Sequence, residues 1–325
     1  MSNVKLLLDT TMPFYLIRTD ITGFFESIPQ QTLLDKINAN NLVNNKTKGM
    51  IKGILSEYNK QKDLNKVKTD YGVPRGVGIS SYLSEIYMHD IDQQIKNREE
   101  VVFYARYVDD ILIILAGLPN NQRISEYYKG LKNLFQNYGL ELKKNDPKEN
   151  KCKLIDFYNS TAKQQFTYLG YNITITKTSN VSNVEFGMTD KKVAKIKHKI
   201  DAAFTHFEQT SAIDIKRAKR DLLDSLDFIS GNYRLTKSKE RVKAGLFFGN
   251  DLLTDLKSLE DLTTYLSGKV IIPYVNVLKG SNDRQKYIAS IQRKISKIDF
   301  KQCWRDHIMF KFSPQRLAEI SDWLS

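Results

Sequence analysis

The chain is poor in cysteine: only Cys152 and Cys303 occur, far apart in 325 residues. That excludes a disulfide-stapled scaffold and fits a reducing compartment. No apolar run approaches the roughly 20 residues that a membrane-spanning helix needs. The opening stretch from Met1 to Asp9 has too short an apolar run for a secretory leader. A cytoplasmic protein with no membrane partner is therefore expected. There is no H-E-x-x-H, no C-x-x-C and no Walker-type loop, so neither a structural zinc nor a separate ATPase is expected. The four histidines, His89, His198, His206 and His307, do not cluster as metal ligands would. No internal repeat, long low-complexity segment or nuclease signature is recognisable.

What is present is ordinary for a folded protein: 41% hydrophobic residues and 11% aromatic ones. Such a chain has enough to bury and is not disordered as a whole. Its charge is less ordinary. Fifty Lys and Arg against 37 Asp and Glu give a net charge of +13. A polyanion is the first partner to consider, with a merely solvated basic surface as the plain alternative. The length suggests about two domains.

The patterning divides the chain. Phe14 to Ile17 is a β-prone run ending at Asp20, and Thr32 to Ile37 reads as helix. Residues 38–70 are polar, with a helical piece from Met50 to Tyr58. The turn segment Gly72-Val73-Pro74-Arg75-Gly76 runs into a helix from near Ser80 to about Ile95. Val101 to Tyr107 and Ile111 to Leu115 are apolar runs flanking Asp109-Asp110, the pattern of a β-hairpin. Residues 122–142 are helical with Gly139 as the stop, and 166–176 alternate as a strand. From Thr189 the character changes. Val193, Ile196, Ile200, Phe204 and Phe207 recur at helical spacing among many lysines, with a second basic cluster at Lys216, Arg217, Lys219 and Arg220. We place a boundary near 188. Residues 1–188 form a mixed unit with antiparallel strands, and 189–325 a basic, mostly helical one. Asp299 to Ser325 reads as a helical end docked by its apolar face, or as a partner surface.

Two acidic sites stand out: Asp20 at a strand end, and Asp109-Asp110 at the hairpin tip. Carboxylates beside buried strands are costly unless compensated. A divalent cation would compensate them, and Mg²⁺ takes one or two carboxylates plus substrate phosphates. Two such ions can clamp the attacking and leaving oxygens of a phosphoryl transfer. Residue type and spacing alone leave the alternatives open. Asp-Asp is also ordinary turn chemistry, and Asp20 could cap the helix that follows.

The surrounding words are more specific. Arg18-Thr19-Asp20-Ile21-Thr22-Gly23-Phe24-Phe25-Glu26-Ser27-Ile28 resembles the first palm motif of reverse transcriptases. The stretch from Gly72 to Tyr87 resembles the second, and Tyr104 to Ile113 the third, with its tyrosine–X–Asp–Asp box. Gly139-Leu140-Glu141-Leu142, followed by lysines, is similar to the fourth, and Tyr168-Leu169-Gly170-Tyr171 to the primer grip. They follow the family's order over residues 14–176. The resemblance is to bacterial reverse transcriptases of the group II intron, retron and abortive-infection types. The Pro-Arg-Gly second motif, with Ser230 to Arg234 and Lys243 to Phe248, is most similar to the defence-associated branch.

The resemblance implies an α+β right-hand palm with reduced fingers over 1–188 and a helical thumb over 189–325. It implies RNA-directed DNA synthesis in bacterial antiviral (phage) defence. Asp20, Asp109 and Asp110 would be catalytic and, with the Ile21 carbonyl, would hold two Mg²⁺ ions, for which Mn²⁺ could substitute. Phe25, Arg75, Gly76 and Tyr107 would meet the nucleotide. Phe25 would reject a 2′-hydroxyl, Gly76 would let the templating pair approach, and Tyr107 would pack near the primer end. Without the motifs, Phe25 and Tyr107 would read as core aromatics and Gly76 as a turn glycine. Tyr168, Leu169 and Gly170 would grip the primer. Lys191, Lys192, Lys195 and Lys199 would track a phosphate backbone, unless they are simply a solvated face. Tyr233, Phe247 and Phe248 would stack on bases, or pack in a core. Lys143, Lys144 or Lys148 would protonate the pyrophosphate. Partners would be an RNA template (a dedicated non-coding RNA among the candidates), deoxynucleotides and the DNA product.

Two departures matter. Arg75 stands where relatives carry glutamine, and 19 residues precede Asp20 where relatives carry fingers. A truncated chain, unusual fingers, a second protein or a second copy of this chain would each account for the latter. The competing functions are a template-independent or protein-primed DNA polymerase, and a non-catalytic nucleic-acid-binding subunit.

Overall fold

The computed structural model describes residues 2–8, 13–39, 43–64, 69–119, 122–145, 151–159, 163–178, 181–235, 242–269 and 282–325. In chain order the elements are α1 (Ser2–Leu8), β1 (Tyr15–Asp20), α2 (Phe24–Ser27), α3 (Gln30–Ala39), α4 (Asn45–Leu64), α5 (Gly78–Lys96), β2 (Val101–Tyr107), β3 (Asp110–Leu115) and α6 (Ile124–Asn137). Then come β4 (Lys153–Asp156), β5 (Gln164–Tyr168), β6 (Tyr171–Thr178), β7 (Val181–Met188), α7 (Asp190–Ser211), α8 (Ile215–Ser230), β8 (Asn232–Arg234) and β9 (Lys243–Gly245). The chain ends with α9 (Lys257–Ser267), α10 (Asn282–Ile295), α11 (Phe300–Arg305) and α12 (Pro314–Trp323). The class is the α+β one expected, with an antiparallel sheet and helices. Two compact units are present: residues 7–169 with 175–183, and residues 1–6 with 170–174 and 184–325.

The first unit is built on a four-stranded sheet in the order β2-β3-β1-β4, antiparallel throughout. Strand alternation decides its two faces. Ile17, Ile21, Ile111, Ile113 and Leu115 pack into one core with Leu83, Tyr87 and Ile91 of α5, Leu131 and Phe135 of α6, and Leu33 and Ile37 of α3. The spacing of four along α5 is what turns Leu83, Tyr87, Ile91 and Ile95 to one side. Each such side chain, fully buried, contributes roughly 1.5–3 kcal/mol. The intervening positions on the strands, Arg18 and Asp20 on β1 and Asp110 on β3, therefore fall on the other face.

β5, β6 and β7 form a three-stranded sheet in that order. The alternation over 166–176 is not one strand. It is broken at Leu169-Gly170, which both adopt left-handed backbone (φ 45° and 78°), the conformation of a two-residue hairpin turn.

In the second unit α7 and α8 pair, and α9, α10, α11 and α12 pack about them. Thr189 caps α7 by accepting from the Lys192 N–H, and Asp214 caps α8 by accepting from Lys216 and Arg217. Asp221 of α8 is buried, with Arg316 Nη2 2.7 Å and the His206 ring Nε2 3.5 Å from its carboxylate. The terminal stretch is helical, as α11 and α12, with Leu317, Ile320 and Leu324 buried.

Candidate active site

The site is assembled where β1 ends against the β2–β3 turn. Asp20 and Asp110 stand directly opposite each other in register, as do Tyr107 and Asp110. The Ile21 N–H donates to the Asp109 carbonyl at 2.9 Å. On the other side, Thr22 N–H donates to Glu141 and Lys143 N–H to the Asp20 carbonyl, at 2.8 and 2.9 Å. The first, third and fourth motif segments are thus stitched together through backbone. Asp20 caps no helix: α2 begins after Gly23, and Asp20 belongs to the sheet.

Like charges directly opposed on a sheet repel, and burial adds to the cost. Burial pushes the Asp20 carboxyl above its ordinary range and the Asp109 charge adds to this, against Lys151 and Arg18. Asp110 is pushed up to about 6, chiefly by burial, with Asp20 and Asp109 raising it further and Arg18 opposing. Arg18 Nη2 is 3.0 Å from Asp110 Oδ1, and Lys151 Nζ is 3.5 Å from Asp20 Oδ2. Both cations were missed as site residues. Arg18 was legible from alternation, since it shares a strand face with Asp20. Lys151 reaches the site because β4 pairs with β1, which no local pattern announces.

The turn itself is forced. Val108 has φ 60°, an uncommon backbone for a β-branched residue. Arg106 holds it there. Its Nη1 donates to the Val108 carbonyl at 2.9 Å, while its other donors engage Glu85 and Asp92 at 2.7 Å. The Arg106 side chain is only 3% exposed, a buried clamp from β2 to α5. Tyr107, by contrast, is 65% exposed, so it is no core aromatic.

The second motif is laid on the first. Gly72 N–H donates to the Ile28 carbonyl at 2.6 Å and Val73 N–H to the Phe25 carbonyl at 2.8 Å. Gly72 has φ 82°, and a Cβ there would lie 2.9 Å from Glu26 Cα and from the Phe25 carbonyl oxygen. Only glycine fits that approach. Gly76 also has positive φ, 79°, but faces open space. Phe25 packs at the edge of the core with its ring 5.4 Å from that of Phe24.

Tyr168 is buried, and its hydroxyl is raised to about 12 by burial and the field of Asp110. Gly170 faces Lys192, whose Cε would be 2.8 Å from a Cβ. Among the four helix lysines, Lys192 Nζ is committed within its own unit, donating to the Gly249 carbonyl and Asn250 Oδ1 at 3.0 and 2.9 Å. Burial lowers the pKa of Lys192, and that of Lys199, which lies over the Phe228 ring. Lys191 and Lys195 are exposed, one helical turn apart. Tyr233 stacks on Phe228 at 4.5 Å and Phe247 packs against His307, while Phe248 is partly exposed beside Lys243. Lys144 is exposed, and Lys148 lies outside the described residues.

A family model described as "Reverse transcriptase (RNA-dependent DNA polymerase)" matches residues 4–173, more than half of the chain. The chain belongs to the reverse transcriptase family. No curated protein matches it in sequence. Among solved structures it is similar to the telomerase of Candida albicans in complex with a TWJ fragment of telomeric RNA, at 12% identity and a TM-score of 0.36. That match covers 90% of this chain and 49% of the telomerase chain, so the protein spans about half the length of that relative.

Whether the site suits divalent cations can be judged from its donors. Among the described residues, no three His, Cys, Asp or Glu side chains form a metal site by themselves. Mg²⁺ needs no such cage, since it takes one or two carboxylates and completes its shell with water and substrate phosphates. Hard oxygen donors at mutually repelling carboxyls fit that requirement. No helix among the described residues is long and apolar enough to cross a membrane.

Proposed function

We propose that the protein is an RNA-directed DNA polymerase that adds deoxynucleotides to a primer 3′-hydroxyl at Asp20, Asp109 and Asp110. One observation carries this reading: the end of β1 and the β2–β3 turn converge so that the three carboxyls lie in one another's field. Asp20 and Asp109, with Asp110 and the Ile21 carbonyl, would hold two Mg²⁺ ions, or Mn²⁺ in their place. Bound there, the cations would activate the 3′-hydroxyl and neutralise charge on the leaving pyrophosphate.

The chain's own residues supply the rest. Arg18 and Lys151 oppose the rise that burial imposes on the carboxyl pKa values. Arg106 holds the strained turn that presents Asp109. Phe25 excludes a ribose 2′-hydroxyl, Arg75 meets the nucleotide, and the open space at Gly76 admits the templating pair. Exposed Tyr107 faces the primer end, and Tyr168-Leu169-Gly170 grips the primer. Lys191 and Lys195 follow a phosphate backbone, giving sequence-independent and salt-dependent affinity. The unit of α7 to α12 then serves as the thumb, with residues 1–188 as palm and short fingers. A dedicated non-coding RNA as template or scaffold, in bacterial antiviral defence, is the setting we favour. Its support is the wording of the second motif and of residues 230–248.

Primer extension with purified chain, Mg²⁺ and all four deoxynucleotides tests the reading, run with added RNA template, without it, and after ribonuclease treatment. Template-complementary product only where RNA survives supports it. Homopolymer or repeat product without RNA would favour untemplated or protein-primed synthesis. RNA binding without any synthesis would favour the non-catalytic subunit.

A further inference from the structure

Arg75 is the residue at which this chain departs from its family's second motif, and the structure gives it a partner. Its Nη2 donates to Glu26 Oε2 at 2.8 Å, and its Nε pairs with Glu26 Oε1. This is a two-pronged, side-on fork, which fixes the plane of the guanidinium and leaves the Nη1 hydrogens uncommitted to Glu26. The guanidinium carbon lies 5.9 Å from the centroid of the Phe25 ring, within reach of a cation–π contact. Glu26 directly follows Phe25 on α2, and α2 is pinned to the Gly72-Val73 backbone by the contacts described above. Three features thus converge on one ring: the α2 backbone is clamped, the preceding aromatic packs beside it, and a cation is held near its face.

The charges explain why a partner is needed. The field of Asp109 acts on Arg75, and Arg75 is two-thirds exposed. Unpaired, such a side chain would be drawn toward the site carboxylates instead of being held where it meets the nucleotide. Glu26 supplies a competing anion in a fixed place. The fork is strong enough to hold the Glu26 carboxyl below its ordinary range.

We propose that Glu26 is a positioning residue, holding the Arg75 guanidinium at the Phe25 ring in a brace that sets how strictly the site rejects a 2′-hydroxyl. The proposal rests on the polymerase reading. A ring rejects a ribose only while it cannot swing aside, and the brace holds a cation 5.9 Å from the ring centroid.

Single-nucleotide addition by the full chain, comparing a deoxynucleotide with the ribonucleotide of the same base, tests it. Glu26→Gln should lower the ratio of the two kcat/KM values about fivefold, the scale of one exposed cation–π contact. Arg75→Ala should lower it equally, and the double variant no further. Arg75→Lys should not restore it, because an ammonium cannot make the fork. Rising salt should erode the wild-type ratio and leave that of Glu26→Gln flat, since an exposed pair is screened. Melting temperature reports whether each variant is folded. A wild-type ratio retained by folded Glu26→Gln, while Phe25→Ala relaxes it, would overturn the brace. Strictly additive effects of Glu26→Gln and Arg75→Ala would overturn it too. If wild type adds no more nucleotide than Asp109→Ala, the polymerase reading has failed, and the brace with it.

Discussion

Single side chains decide whether the carboxyls are presented at all, and Arg106 bears most of that burden. Its guanidinium joins Glu85, Asp92 and the Val108 carbonyl in a nearly closed setting. Breaking a buried ion pair by removing one partner costs about 3–5 kcal/mol, because the other charge is left uncompensated. Arg106→Met should therefore lower the denaturation midpoint markedly and also release the strained turn. A variant that melts like wild type would show that the clamp is dispensable. The two second-motif glycines separate in the same way. At Gly72 a methyl group meets backbone, so Gly72→Ala should destabilise by at least the 1–2 kcal/mol of a forced left-handed residue. At Gly76 the space is open, so Gly76→Ala should cost less stability and show mainly as a raised KM for template–primer or nucleotide. Equal melting temperatures for the two variants would contradict this.

Elements explain what the sequence made legible. The α5 stripe and the two runs flanking Asp109-Asp110 are local patterns, and the helix and hairpin follow them almost to the residue. The strand over 166–176 was misread because Leu169 adopts a backbone that its residue type disfavours, and only Gly170 hinted at a turn. The candidate site was readable as words, Asp20 and Asp109-Asp110, whereas its balance of charge was not. Lys151 arrives through strand pairing between segments more than a hundred residues apart, which no short window contains. On α7 the lysines looked equivalent, yet packing divides them. Lys191→Ala and Lys195→Ala should each reduce the salt-dependence slope of RNA–DNA binding by about 0.7–0.9. Lys192→Ala should leave that slope unchanged and lower the melting temperature, since its ammonium serves Gly249 and Asn250. The reverse pattern would mean that Lys192, not its neighbours, meets the nucleic acid.

At the scale of the whole molecule, a chain with an excess of 13 positive charges carries a small acidic site. The cost of that site is written into pH dependence. Asp110 titrates near 3.8 in an unfolded chain and at about 6 when folded, so the folded state binds the proton more tightly. Its stabilising contribution is therefore complete below pH 3.8 and is lost as pH rises through about 6. Metal-free protein should lose denaturant stability as pH rises from 3.8 to about 6, and Asp110→Asn should lose less. A wild-type and variant difference that is flat with pH would contradict this. Cation binding should offset the loss at the higher pH, because the ionised carboxyls then have a partner. If these carboxyls perform nucleotidyl transfer, Asp109 is indispensable to it. Mg²⁺-dependent addition of one deoxynucleotide to an RNA-templated primer, by wild type and by Asp109→Asn, tests that claim most directly, with RNA–DNA binding measured alongside. Addition is expected from wild type alone, abolished by chelation, with binding equal in the two proteins. Equal addition by Asp109→Asn, or none by wild type that binds its template–primer, would contradict it.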